Sequence, residues 1–118
     1  ISNLSIDDII ILHSSKVYDV HAIGFLPGFA FMASVDDSIA VSRLETPRKK
    51  IPKGSVAIAN NQTAVYPSDS PGGWNIIGKT AFEFFDKKLE SLSPISIESR
   101  IKFNPISKEE FILQGGTI

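Results

Sequence analysis

Ile6, Ile9, Ile10 and His13 recur at helical spacing behind Ser5-Ile6-Asp7-Asp8, where the Ser5 hydroxyl can cap the backbone N–H near Asp8. The pattern predicts a short helix from about Ile6 to His13. From Lys16 to Phe25 the period changes to two, with Val17, Asp19, His21, Ile23 and Phe25 on one side and Tyr18, Val20, Ala22 and Gly24 on the other. This predicts a strand that ends in the Pro-Gly turn of GFLPGF. Between Ile39 and Tyr66 the apolar runs shorten to SIAVS, GSVAIA and TAVYP, separated by Pro47, Pro52, Gly54 and the Asn60-Asn61 pair. Short strands broken by turn residues at this spacing predict a barrel or sandwich rather than a βαβ sheet. WNIIGK, AFEFF and SIESRIKF continue the style, and Ser107-Lys108-Glu109-Glu110 repeats the capping box before a brief closing helix. The expected fold is mainly β, with one short helix near each end.

Composition narrows the functions open to such a domain. At 118 residues and 42% hydrophobic content the chain has room for one core, so residues 1–118 are expected to form a single domain with one site or interface. It contains no run of roughly 18 apolar residues and no basic-then-apolar leader, so the expectation is a cytoplasmic protein without a membrane partner. Twelve basic against thirteen acidic residues leave a net charge of −1, which lacks the positive field that nucleic-acid binding needs. Cysteine is absent, and the two histidines, His13 and His21, belong to no ligand-spaced cluster; no metal site is expected.

GWNIIGKT, Gly73 to Thr80, matches the phosphate-loop pattern G-x-x-x-x-G-K-[ST]. A working phosphate loop needs a buried strand before it and a helix starting at the lysine, because backbone N–H groups and the helix N-terminus hold the phosphates. Here Ser70-Pro71 precedes the glycines, Trp74, Ile76 and Ile77 fill the loop, and the β-like AFEFF follows. The longer phrase YPSDSPGGWNIIG instead predicts a tight turn that enters a strand with an aromatic anchor. Two readings of it stand side by side. In one, Trp74 plugs the core; in the other, Tyr66, Ser70, the Gly72-Gly73 amides and Trp74 form a concave rim that binds a small polar ligand or a partner's chain.

The succession GFLPGF, TPRKKIPKGSVAIANNQTAVYP and SPGGWNIIGKT, in that order and spacing, resembles the KipI/PxpB family, also called the allophanate hydrolase subunit 1 family. The resemblance runs from LHSS around His13 to RIKFNPIS before the last helix. It implies a cyclophilin-like β-barrel that forms the C-terminal domain of a protein about twice as long, whose N-terminal α/β domain is absent here. Family members act as one subunit of an ATP-dependent 5-oxoprolinase, which opens 5-oxo-L-proline to glutamate with a homologous partner subunit. The resemblance also leaves two alternatives: a binding module that inhibits a sensor histidine kinase, and a subunit related to urea carboxylase or allophanate hydrolase. The matched motif positions are Gly24, Phe25, Pro27, Gly28 and Phe29; Pro47 and Arg48; Pro52, Gly54 and Ser55; Gln62, Tyr66 and Pro67; and Ser70, Pro71, Gly72, Gly73 and Trp74 with Gly78. Ala30, Ala33 and Ile97-Glu98-Ser99 depart from the family pattern, and Lys79 falls at a variable position.

From these positions the expected binding residues are Arg48, Gln62, Tyr66, Ser70, Gly72, Gly73 and Trp74. Arg48 can grip a carboxylate or phosphate with two parallel bonds, and the Gln62 amide can both donate to and accept from a lactam or ureido group. Lys49, Lys50 and Lys53 read as a solvated loop. His13, on an apolar stripe, reads as a packed and hydrogen-bonded core histidine, and His21 receives the same reading. Asp69 reads as an Asx-turn acceptor. No nucleophile and base stand together, so the domain alone is expected to be inactive and ATP to bind in the full complex.

Overall fold

In the computed structural model, which describes residues 5–24, 28–82 and 99–115, both expected helices start on a serine cap. Ser5 Oγ accepts from the Asp8 N–H at 3.1 Å and the Asp8 carboxylate accepts the Ser5 N–H at 3.4 Å, closing the box that starts α1 (Ile6–Ser14). Ser107 Oγ accepts from the Glu110 N–H and starts α2 (Lys108–Leu113). Between them lie β1 (Val17–Ile23), β2 (Ala30–Ala33), β3 (Arg48–Ile51), β4 (Ser55–Ala59), β5 (Gln62–Val65), β6 (Ser70–Gly72), β7 (Asn75–Lys79) and β8 (Arg100–Lys102). The mainly β fold with a short helix near each end is therefore observed.

Six strands form one antiparallel sheet in the order β7-β4-β5-β2-β1-β8, and β3 pairs with β6 as a separate ribbon. Among the described residues β7 and β8 are the two edges, so the sheet is open rather than a closed ring. The alternation in β1 falls as its period requires, with Tyr18 and Val20 buried. They join Met32, Val35, Val56, Ile58 and Val65 in a core on the sheet face that α1 covers with Ile9 and Leu12. A second core lies on the opposite side, where Phe29, Ile51, Ala57, Ala59, Ala64, Tyr66 and Trp74 pack together. The ribbon contributes Ile51 to it, so the ribbon and the sheet share this second core.

Three expectations change in the structure. SIAVS, expected as a strand, is a single 3-10 turn over Asp37–Ile39 followed by a lone bridge from Val41 to Asn60. The Asp36 carboxylate accepts from the Ser38 N–H at 2.9 Å, and that side-chain bond turns the chain before a ladder can form. Lys49, Lys50 and Lys53 are exposed, as expected, but only Lys53 lies in a turn, whereas Lys49 and Lys50 stand on β3. Asp69 is no Asx-turn acceptor: it reaches across to accept the Lys53 N–H at 2.8 Å and pairs with Lys50 Nζ at 3.3 Å, tying the two strands of the ribbon together at one end. Most of AFEFF, the start of SIESRIKF and the Phe25-Leu26-Pro27 stretch lie outside the described residues.

Candidate functional site

Trp74 is 5% exposed and stands edge-on to Phe29 at 5.5 Å between ring centroids, with Phe31 at 5.9 Å. Phe29 in turn meets Tyr66 edge-on at 5.2 Å. Each such pair contributes about 1 kcal/mol beyond its buried area, so the four rings form a rigid unit. Burial raises the Tyr66 hydroxyl above its ordinary value, against the opposing pull of the Trp74 backbone hydrogen bond and the Arg43 charge. It therefore stays a neutral phenol.

The four rings floor a groove of about 370 Å³ that is completed by Arg43, Pro47, Pro71, Gly72 and Gly73. Gly72 backs against the Tyr66 hydroxyl so closely that a Cβ would collide with it and stand 3.1 Å from Ile51 Cδ1. The glycine is thus required by close approach and not by its φ. Gly73 accepts the Leu44 N–H at 2.6 Å, and Asn75 Nδ2 donates to Ser42 O at 2.8 Å and Ile58 O at 3.2 Å. These bonds hold residues 42–44 against the sheet and place the exposed Arg43 guanidinium 5.9 Å from the Trp74 ring centre, within cation–π range. Among the described residues no carboxylate is ion-paired with Arg43.

Of the residues expected to bind a ligand, Tyr66, Gly72, Gly73 and Trp74 meet in this groove. Trp74 therefore packs into the second core and also lines the groove. Ser70 is 7% exposed, and its hydroxyl donates to its neighbour's carbonyl, Pro71 O, at 2.9 Å. Arg48 is exposed at the start of β3, opposite Gly72 in register but outside the groove lining. Gln62 stands at the start of β5, half-buried, where its amide nitrogen lies 3.1 Å from His21 Nε2. His21 was expected in the core and is exposed instead, because β1 alternates and Tyr18 and Val20 take the buried side. Of the expected structural positions, Phe29 is a core ring, Gly28 and Gly54 have φ of 82° and 85°, and Gly24 donates to Phe29 O across the β1–β2 turn.

Arg43 was missed by sequence reasoning, which favoured Arg48 between its two prolines. RLETP carries no periodicity, and what positions Arg43 is a bond from Asn75, distant in sequence. His21, by contrast, had a legible signal, since it shares a face with Asp19 and opposes the apolar Tyr18 and Val20.

His13 does behave as expected. It is 4% exposed, with Nε2 2.8 Å from Thr63 Oγ1. The Thr63 hydroxyl donates to Ala57 O at 3.0 Å, so it accepts from His13 and the ring proton resides on Nε2. Desolvation lowers the imidazole to about 4, which keeps it neutral and makes it a structural group.

The phosphate-loop pattern forms no phosphate loop. Asn75 to Lys79 is β7, paired with β4 along its length, and Lys79 is an exposed residue at the strand end. Among the described residues, no group of three or more His, Cys, Asp or Glu side chains is placed to hold a metal ion. No described helix is long and apolar enough to cross a membrane.

The chain is similar to several known proteins. The chain is 39% identical over 111 residues to a 5-oxoprolinase subunit of Bacillus subtilis (strain 168), which covers 94% of this chain and 46% of that protein. It is 43% identical over 102 residues to the corresponding 5-oxoprolinase subunit of Escherichia coli O157:H7, covering 86% and 47%. The chain thus spans about half the length of the curated relatives it matches. A crystal structure of a conserved uncharacterized protein from Pyrococcus horikoshii superposes with a TM-score of 0.85 at 46% identity, covering 92% of this chain and 50% of that one. The family model of the carboxyltransferase domain, subdomain C and D, matches residues 1–95, which include the ribbon, the groove and the His21–Gln62 pair. By that match the chain belongs to the carboxyltransferase domain, subdomain C and D, family.

Proposed function

We propose that this domain is part of a subunit of an ATP-dependent 5-oxoprolinase, and that its aromatic groove holds the lactam acid while a homologous partner subunit completes the reaction site. The observation that carries the reading is the identity of 39–43% to 5-oxoprolinase subunits over 80–94% of this chain. The groove has the chemistry that a small ring bearing a carboxylate needs. Its rings offer flat apolar surface, and Arg43 offers a guanidinium fork at the mouth, with no paired carboxylate among the described residues. In this role Arg43 replaces Arg48, which lies on the ribbon outside the groove lining.

GWNIIGKT does not fit a nucleoside triphosphate, since its backbone is committed to the β4 ladder. ATP is therefore assigned to the full complex and to no residue here. In this reading the domain binds and orients the lactam acid. The test uses the full-length protein with its partner subunits. Phosphate release should depend on 5-oxoproline, and Arg43→Ala should raise KM for it about tenfold or more by removing a charge-assisted pair. Phosphate release indifferent to 5-oxoproline would overturn the reading.

A further inference from the structure

The sheet face that floors the groove continues past Phe31 to a polar pair. β1 and β2 pair Val20 with Met32 and Ala22 with Phe31, so three residues of β1 face two of β2 and His21 is the extra one. A bulge of this kind re-aims the side chain it carries. Ala33 on β2 pairs with Gln62 on β5 and with Asp19 on β1, so the Gln62 side chain meets the imidazole across the small Ala33. Phe31, part of the groove floor, is two residues before Ala33 on the same face, about 7 Å along the strand.

The bond between the pair fixes chemistry as well as position. An amide nitrogen can only donate, so across the 3.1 Å contact Gln62 Nε2 is the donor and His21 Nε2 the acceptor. Among the described residues His21 is the one side-chain partner of Gln62. In this arrangement the Gln62 carbonyl oxygen and its second N–H are left over as one acceptor and one donor. A cyclic amide presents the complementary edge, because its ring holds N–H and C=O on the same side.

We propose that His21 and Gln62 form the amide-reading end of the groove, selective for a small lactam with a free N–H, with His21 as the positioning residue that stops the Gln62 amide from turning over. Gln62 accepts the lactam N–H and donates to the lactam oxygen, while the ring lies toward Phe31 and Trp74. The turnover arm of the test rests on the 5-oxoprolinase reading; the binding arm does not.

The experiment uses the full-length protein, alone and with its partner subunits. In the binding arm, 2-pyrrolidone and 5-oxoproline are titrated while the Gln62 side-chain N–H resonances are followed. Both ligands should shift them saturably, N-methyl-2-pyrrolidone should not, and His21→Ala should remove the distinction. In the turnover arm, His21→Ala should raise KM for 5-oxoproline about tenfold with kcat changed less than twofold. His21→Gln, whose side-chain oxygen can accept from Gln62, should recover most of the loss. Unperturbed Gln62 resonances, or equal binding of the N-methyl lactam by the wild type, would overturn the proposal even where turnover depends on 5-oxoproline. A complex indifferent to 5-oxoproline that still shows the lactam-specific shifts would overturn the function reading and leave the pair standing.

Discussion

Acidification should unfasten α1 from the sheet through one residue, His13. Its imidazole lies buried against Tyr18 and Phe103 with ring centroids 5.4 and 4.7 Å away, and it donates to Thr63. Burial lowers it from 6.5 to about 4, so the unfolded chain binds a proton in that interval that the folded chain refuses. Stability from this group is complete above pH 6.5, falls as pH drops toward 4, and levels off below. A displacement of about 2.5 pH units corresponds to a loss of about 3 kcal/mol, a large share of a typical domain's stability. The carboxylates of Asp36 and Asp69, both held low by hydrogen bonds from Ser38 and Lys53, lose their contributions only below 3.8 and so leave this window to His13. Urea unfolding at half-unit steps from pH 7.5 to 4.5 measures the loss. His13→Gln keeps an amide donor and removes the titration, so its midpoint should be nearly flat over the same range. A wild-type midpoint that is flat there, or a His13→Gln midpoint that falls equally, would refute the reasoning.

The groove yields further expectations. Trp74→Ala should cost about 3–5 kcal/mol in urea unfolding, whereas Trp74→Phe should cost less and spare the fold while weakening ligand binding. Gly72→Ala forces Tyr66 or Ile51 to move and should lower stability by about 1–3 kcal/mol, and Tyr66→Phe in the same chain should recover part of that loss. Asn75→Ala removes the bonds to Ser42 and Ile58 and should destabilise by about 1–3 kcal/mol, with the largest rise in amide exchange at residues 41–44. Under the proposed function, Lys79→Ala in the full-length protein with its partner subunits should leave ATP-coupled turnover unchanged; its loss would revive the phosphate-loop reading.

What could be read from the chain alone was what neighbouring residues determine. Ser5 and Ser107 announced both helices because a cap is a local bond. The alternation around Tyr18 and Val20 announced β1 because the pleat has a period of two. Gly72, Gly73 and Trp74 were legible as neighbours because they are consecutive in one motif, while their places in the groove depend on Tyr66 and Arg43. SIAVS misled because Asp36 captures the Ser38 N–H, a side-chain bond that competes with the ladder. Arg43 and the contact between His21 and Gln62 stayed hidden because they come from strands brought together in space: Asn75 pinning residues 42–44, and a bulge aiming His21 across Ala33.

The chain has a single tryptophan, Trp74, at the centre of the groove. Fluorotryptophan incorporated into the full-length protein, assembled with the proposed partner subunits and with the resonance assigned by Trp74→Phe, reports on that centre directly. Titration with 5-oxoproline should shift the Trp74 resonance saturably, at concentrations that match the KM for coupled phosphate release, and Arg43→Ala should move both together. A Trp74 resonance that does not respond while the complex turns over 5-oxoproline would place the substrate elsewhere and contradict the account.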